Sequence, residues 1–74
     1  MELREARMRQ FLSIRELAAK ASVATATIVA IEQGRQTPTF KTARKIAAAL
    51  DVEPTEIDEF AAMLGEALEG KDAA

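Results

Sequence analysis

Few side chains in this sequence are of types that do covalent or acid–base chemistry, and none is arranged for it. There is no histidine and no cysteine, which removes the usual general base, the usual metal ligand and the thiolate nucleophile. Ser13 and Ser22 remain as serine nucleophiles, and neither has a base beside it. The three glycines are scattered, so no glycine-rich loop can cradle a phosphate. The expectation is a protein that is not an enzyme and uses no cofactor and no metal. What the chain does hold is charge of two signs in two places. Residues 1–50 carry nine Lys/Arg against four acids, a balance of +5, and residues 51–74 carry eight acids against Lys71, a balance of −7. The basic part can face a polyanion while the acidic part points away. An ordinary solvated surface with an acidic tail is the plainer alternative.

The elements that must position these charges are helices. Seventy-four residues make one small domain, no segment alternates as a strand does, and Ala, Leu, Glu, Arg and Lys dominate. A first helix over Glu2 to Gln10 puts Leu3 and Ala6 toward the interior, with Met8 the third candidate. Ser13 caps a second helix, with Glu16 as its capping-box partner, and Ile14, Leu17, Ala18 and Ala21 form the buried stripe. A third helix follows Val23 and ends at Gly34, which supplies a left-handed C′ residue. Its inward face is Ile28 and Ile31, with Thr27 in part. Thr39 caps a fourth helix, whose stripe runs Phe40, Ala43, Ile46, Ala47 and Leu50. Pro54 suits the first position of a fifth helix, on which Ile57, Phe60, Ala61, Leu64 and Leu68 share a face.

The second and third helices are short and joined by Ser22-Val23-Ala24, the spacing of a helix-turn-helix. From here a specific resemblance emerges. "LS..ELA" (Leu12, Ser13, Glu16, Leu17, Ala18), Val23 with "T.I..IE.G" (Thr27, Ile28, Ile31, Glu32, Gly34), Pro38, and "KIA.AL.V" (Lys45, Ile46, Ala47, Ala49, Leu50, Val52) stand in order. Together they resemble the five-helix DNA-binding domain of phage repressors and Cro, within the xenobiotic-response-element (XRE) family of bacterial regulators. The implied fold is an all-α, five-helix repressor-like domain with an extended fifth helix. The implied organisation is a DNA-binding domain over residues 1–60, then a C-terminal helix extension and frayed acidic tail over 61–74.

The resemblance implies site residues position by position. The third helix, about residues 24–33, would enter the major groove and bring Thr25, Ala26, Thr27, Val29 and Ala30 to base edges. Many relatives carry Arg, Gln, Asn or Ser there, which make bidentate contacts. Thr, Ala and Val would lean instead on thymine methyls and groove shape. Phosphate contacts would come from Arg15, Arg35, Gln36, Thr37, Thr39, Lys41 and Arg44. Ile14 stands where the family commonly has Gln, and Phe11 where it usually has Gly, which suggests extra packing at Phe11. Arg7 and Glu32 match positions that often carry an ion pair joining the first helix to the end of the third. As a surface pair it would contribute only about 0–1 kcal/mol.

A single module has a footprint of roughly 600–1,000 Å² on DNA, and family members commonly dimerise so that two reading helices fall one DNA turn apart. Phe60, Met63, Leu64, Ala67 and Leu68 are the candidate homodimer interface, unless that face folds onto its own core. The implied function is a homodimeric regulator, a repressor by type, on a near-palindromic double-stranded DNA operator. The rival is a protein-interaction module on the same scaffold, an antitoxin or accessory regulator whose partner is a protein and whose DNA binding is weak. No apolar run approaches a membrane span and charged residues follow Met1 with no signal-peptide core, so the expected location is cytoplasmic, with no membrane partner.

Overall fold

The computed structural model describes the backbone of residues 1–73 and the side chains of residues 1–69. Five α-helices and one 3₁₀ turn make up the fold, with no strand among the described residues: α1 Leu3–Arg9, α2 Ile14–Ala21, α3 Thr25–Glu32, α4 Phe40–Ala49, the turn Pro54–Glu56, and α5 Asp58–Ala73. The expected fraying of residues 70–74 falls on side chains, and at Ala74 on backbone, outside the described residues.

The starts of α2 and α4 have local causes. Ser13 accepts from Glu16 N–H at 3.0 Å while Glu16 Oε1 accepts from Ser13 N–H at 2.9 Å, the reciprocal capping box expected of this pair. Thr39 Oγ1 accepts from Thr42 N–H at 3.2 Å and starts α4. The fifth helix does not begin at Pro54. Pro54 opens a single 3₁₀ turn instead, closed by a Glu53–Glu56 capping box, and Ile57 then turns extended before α5 starts. That break lets the Ile57 side chain point fully inward while α5 leaves in a new direction.

The helix ends share one device. Phe11, Ser22, Gly34 and Asp51 all have φ between +56° and +73°. Each closes the preceding helix with a pair of backbone bonds, such as Ser22 N–H to Ala19 O and Val23 N–H to Ala18 O, or Gly34 N–H to Ile31 O and Arg35 N–H to Ala30 O. This is the Schellman closure, for which glycine is the favoured left-handed residue, and only one of the four positions has it. Phe11 does not gain the expected extra packing: its left-handed backbone holds the ring out, 94% exposed.

Leu3, Leu17, Ile28, Ile31, Ile46, Leu50 and Ile57 are fully buried at the centre. α2 packs on both α3 and α4, α1 reaches α3, and the 3₁₀ turn bridges α4 to α5. Ala18, 2% exposed, leaves room for the α2–α3 crossing, and Val23 packs against the core from the turn between them. Gln10 Nε2 donates to Leu50 O, and Asp58 N–H donates to Met1 O at 2.7 Å, tying α1 to the far end of the chain. Two apolar residues expected inside lie outside. Met8 is exposed on α1, and Phe40 at the first position of α4 is 58% exposed, because the first turn of α4 overhangs the core that Ala43 and Ile46 fill.

Candidate nucleic-acid interface

The second helix of the helix-turn-helix unit is α3, and its sequence TATIVAIE is apolar almost all round. Ile28 and Ile31 are buried and fix its inward face. Opposite them Thr25 and Ala26 are exposed, while Thr27, Val29 and Ala30 are half-buried. The free surface is therefore concentrated in the first turn. Val29 and Ala30, expected to be exposed, are only partly so.

The start of α3 has no side-chain cap. Ala24 occupies the cap position with nothing to offer the first-turn N–H groups, whereas Ser13 and Thr39 cap the starts of α2 and α4. Uncapped N–H groups carry the positive end of the helix dipole. No acid lies in that first turn, so nothing local neutralises it. The one carboxylate on α3, Glu32, sits at the opposite end, where an acid opposes the dipole.

Arg7 removes that charge from view. Its guanidinium donates from Nε to Glu32 Oε2 at 2.8 Å and from Nη2 to Glu32 Oε1 at 3.1 Å, and from Nη1 to Leu12 O at 2.8 Å. The two side chains are 11% and 8% exposed, so the pair is buried and bidentate, unlike the loose surface pair expected from sequence. The hydrogen bond to Glu32 raises the Arg7 pKa above its already high ordinary value. Burial acts against that rise, and the carboxylate's charge adds to it. The arrangement pins α1, the start of the following segment and the end of α3 to one another, and leaves the exposed side of α3 uncharged.

The expected phosphate-binding residues Arg15, Lys41 and Arg44 are exposed on α2 and α4, and Arg35, Gln36, Thr37 and Thr39 on the segment between α3 and α4. None of the four cations makes an ion pair among the described residues, whereas Arg9 is held by Glu5 at 2.8 Å. Thr39 is already engaged: besides accepting from Thr42 N–H, its hydroxyl donates to Thr42 Oγ1 at 3.1 Å. Arg44 stands apart from the rest, on a groove between α4 and α5. Of the expected interface residues on α5, Phe60 and Met63 belong to the monomer's own core, and Leu64, Ala67 and Leu68 are exposed. The uncapped start of α3 was not anticipated, although alanine in the position before Thr25 is the signal for it.

No helix is long and apolar enough to cross a membrane among the described residues. No curated protein and no solved structure matches the chain. The family model described as helix-turn-helix matches residues 3–57, from the first residue of α1 to the residue before α5. By that match and by the α2–turn–α3 unit described above, the chain belongs to the helix-turn-helix family, of the XRE type, whose members are DNA-binding transcription regulators.

Proposed function

We propose that the chain represses transcription as a homodimer on a near-palindromic operator, with α3 of each copy in the major groove. The observation that carries this reading is the first turn of α3: exposed, uncapped and free of acid, on a helix whose single carboxylate is held away by Arg7. Thr25 and Thr27 offer hydroxyls to base edges, and Ala26 offers a methyl group to thymine. Val29 and Ala30 lie at the edge of the contact, reading shape more than hydrogen bonds. Arg15, Arg35 and Lys41 flank α3 in sequence on both sides and would hold phosphates, with Gln36 and Thr37 as neutral donors. Two half-sites then require two copies one DNA turn apart, ~34 Å.

A mobility-shift titration against the DNA upstream of the chain's own gene, at two salt concentrations, tests the reading. With about three phosphate cations per copy, log affinity should fall with log salt at a slope of roughly −5 for a dimer, and random duplex should compete poorly. A flat salt response would reject DNA as the partner. One observation favours the protein-partner alternative, the scarcity of polar side chains on α3. The partial cover of Val29 and Ala30 weakens it, since little apolar area remains to bury against another protein.

A further inference from the structure

Phe11 carries two costs at once. Nearly all of its ring faces solvent, and its backbone is left-handed at φ 57°, a conformation in which a bulky side chain is an outlier. The fold needs only the turn. Its closing bonds run from Phe11 N–H to Met8 O at 3.0 Å and from Leu12 N–H to Arg7 O at 3.3 Å, and neither uses the ring. Glycine would make the same closure without either cost. A strained residue whose side chain does nothing for the monomer points to a use outside it. Met8, one turn back, is also exposed, and Ile14, just ahead, is half-buried, so an apolar corner stands at the entry to α2.

In a helix-turn-helix the first helix crosses the DNA backbone while the second lies in the groove, and here that first helix is α2. A helix start can offer its N–H groups to a phosphate, but Ser13 and Glu16 already satisfy each other at this one. What the corner still presents outward is the Phe11 ring and the exposed Arg15. The charges around them favour a polyanion. Between Arg7 and Glu16, Arg7 is paired with Glu32, Arg9 with Glu5, and the Glu16 carboxylate accepts from Ser13 N–H. Arg15 is the one uncommitted charge of that segment among the described residues. We propose that the Phe11 ring packs on a deoxyribose of the strand whose phosphate Arg15 holds. The sugar is the apolar part of that backbone, and a contact to it fixes position without reading sequence. The proposal rests on the DNA-binding reading above and adds a backbone contact made by a ring, for which the left-handed turn is the outward mount.

Equilibrium binding of the full chain to the upstream duplex and to random duplex, with Phe11→Gly, Phe11→Asn and Phe11→Tyr beside the parent, tests it. Gly and Asn both accept the left-handed turn, so these two variants should melt at or above the parent's temperature. Their affinity should nevertheless fall about tenfold, equivalent to roughly 1.4 kcal/mol. The loss should be the same factor on both duplexes, because a sugar carries no sequence, and the slope against salt should not change, because no charge is removed. Phe11→Tyr keeps the ring and should bind within about twofold of the parent. Gly and Asn variants that bind as the parent does would overturn the proposal and leave a protein surface as the ring's partner. A loss accompanied by a lower melting temperature would also overturn it, by assigning the ring to the fold, as would a loss confined to the upstream duplex. A parent that binds no duplex removes the DNA reading and this contact together, whereas a parent that binds and is indifferent to Phe11 removes this contact alone.

Discussion

Arg7 and Glu32, twenty-five residues apart in sequence, are joined by two parallel hydrogen bonds at 2.8 and 3.1 Å with both side chains nearly out of solvent. A buried ion pair is weak evidence of net stabilisation, but breaking one leaves the surviving charge without a partner. Arg7→Met or Glu32→Leu alone should each cost about 3 kcal/mol, most of the roughly 3–5 kcal/mol that a core of this size supplies. Urea midpoints of the single variants should collapse. The double variant Arg7→Met/Glu32→Leu should recover to within about 1 kcal/mol of the parent, the remainder being the lost bond to Leu12 O.

The uncapped start of α3 lets stability and binding be separated. Ala24→Asp should raise the melting temperature by supplying a cap, worth about 1 kcal/mol. The same carboxylate would repel a phosphate or base edge at that helix end, so DNA affinity should fall while stability rises. Melting and mobility shift measured on one preparation check both directions.

Two of the four helix closures, at Phe11 and Ser22, use a residue poorly suited to a left-handed backbone. Phe11→Gly and Ser22→Gly should each stabilise by about 0.5–1 kcal/mol, the relief of the side chain's steric cost less the greater chain entropy of glycine. At Gly34 a Cβ would meet nothing within 4 Å, so Gly34→Ala should cost only the backbone penalty, about 1 kcal/mol. Thermal denaturation of the three variants tests the account, and a Phe11→Gly protein less stable than its parent would contradict it.

Much of the frame was legible because capping and periodicity are local. Ser13 with Glu16, Thr39, and Gly34 each announced a helix boundary through its own side-chain chemistry or lack of one, and the all-α five-helix class followed. What was misread depended on neighbours. Phe40 fits its helix stripe by spacing, yet stands on an overhanging turn. Met63 belongs to the core although Leu64 beside it does not, a division set by the direction α5 takes after Ile57. Arg7 and Glu32 were legible as partners through resemblance, but their burial was not, because it depends on how α1 and α3 close around them. On the outward side of α3, the residue types were visible from the start, and the partial cover of Val29 and Ala30 was not.

Acid should loosen the start of α2. The backbone N–H and the hydroxyl of Ser13 hold the Glu16 carboxyl below the usual glutamate range. Because the folded value is the lower one, this contribution is complete above the unfolded glutamate pKa and is lost as pH falls through the folded value. Glu16→Gln keeps an acceptor for the capping box and should flatten that part of the stability–pH curve. Denaturation midpoints of both proteins across the acid range provide the check. Identical pH dependence in the two would remove Glu16 as the source.

The central claim, that the first turn of α3 meets a duplex, is tested most directly at Ala26, which is exposed and bears on no core contact. Equilibrium binding of Ala26→Glu to the upstream DNA should fall to the level of random duplex, with the melting temperature within the error of the parent. Unchanged affinity in a folded Ala26→Glu protein would mean that α3 does not enter the groove.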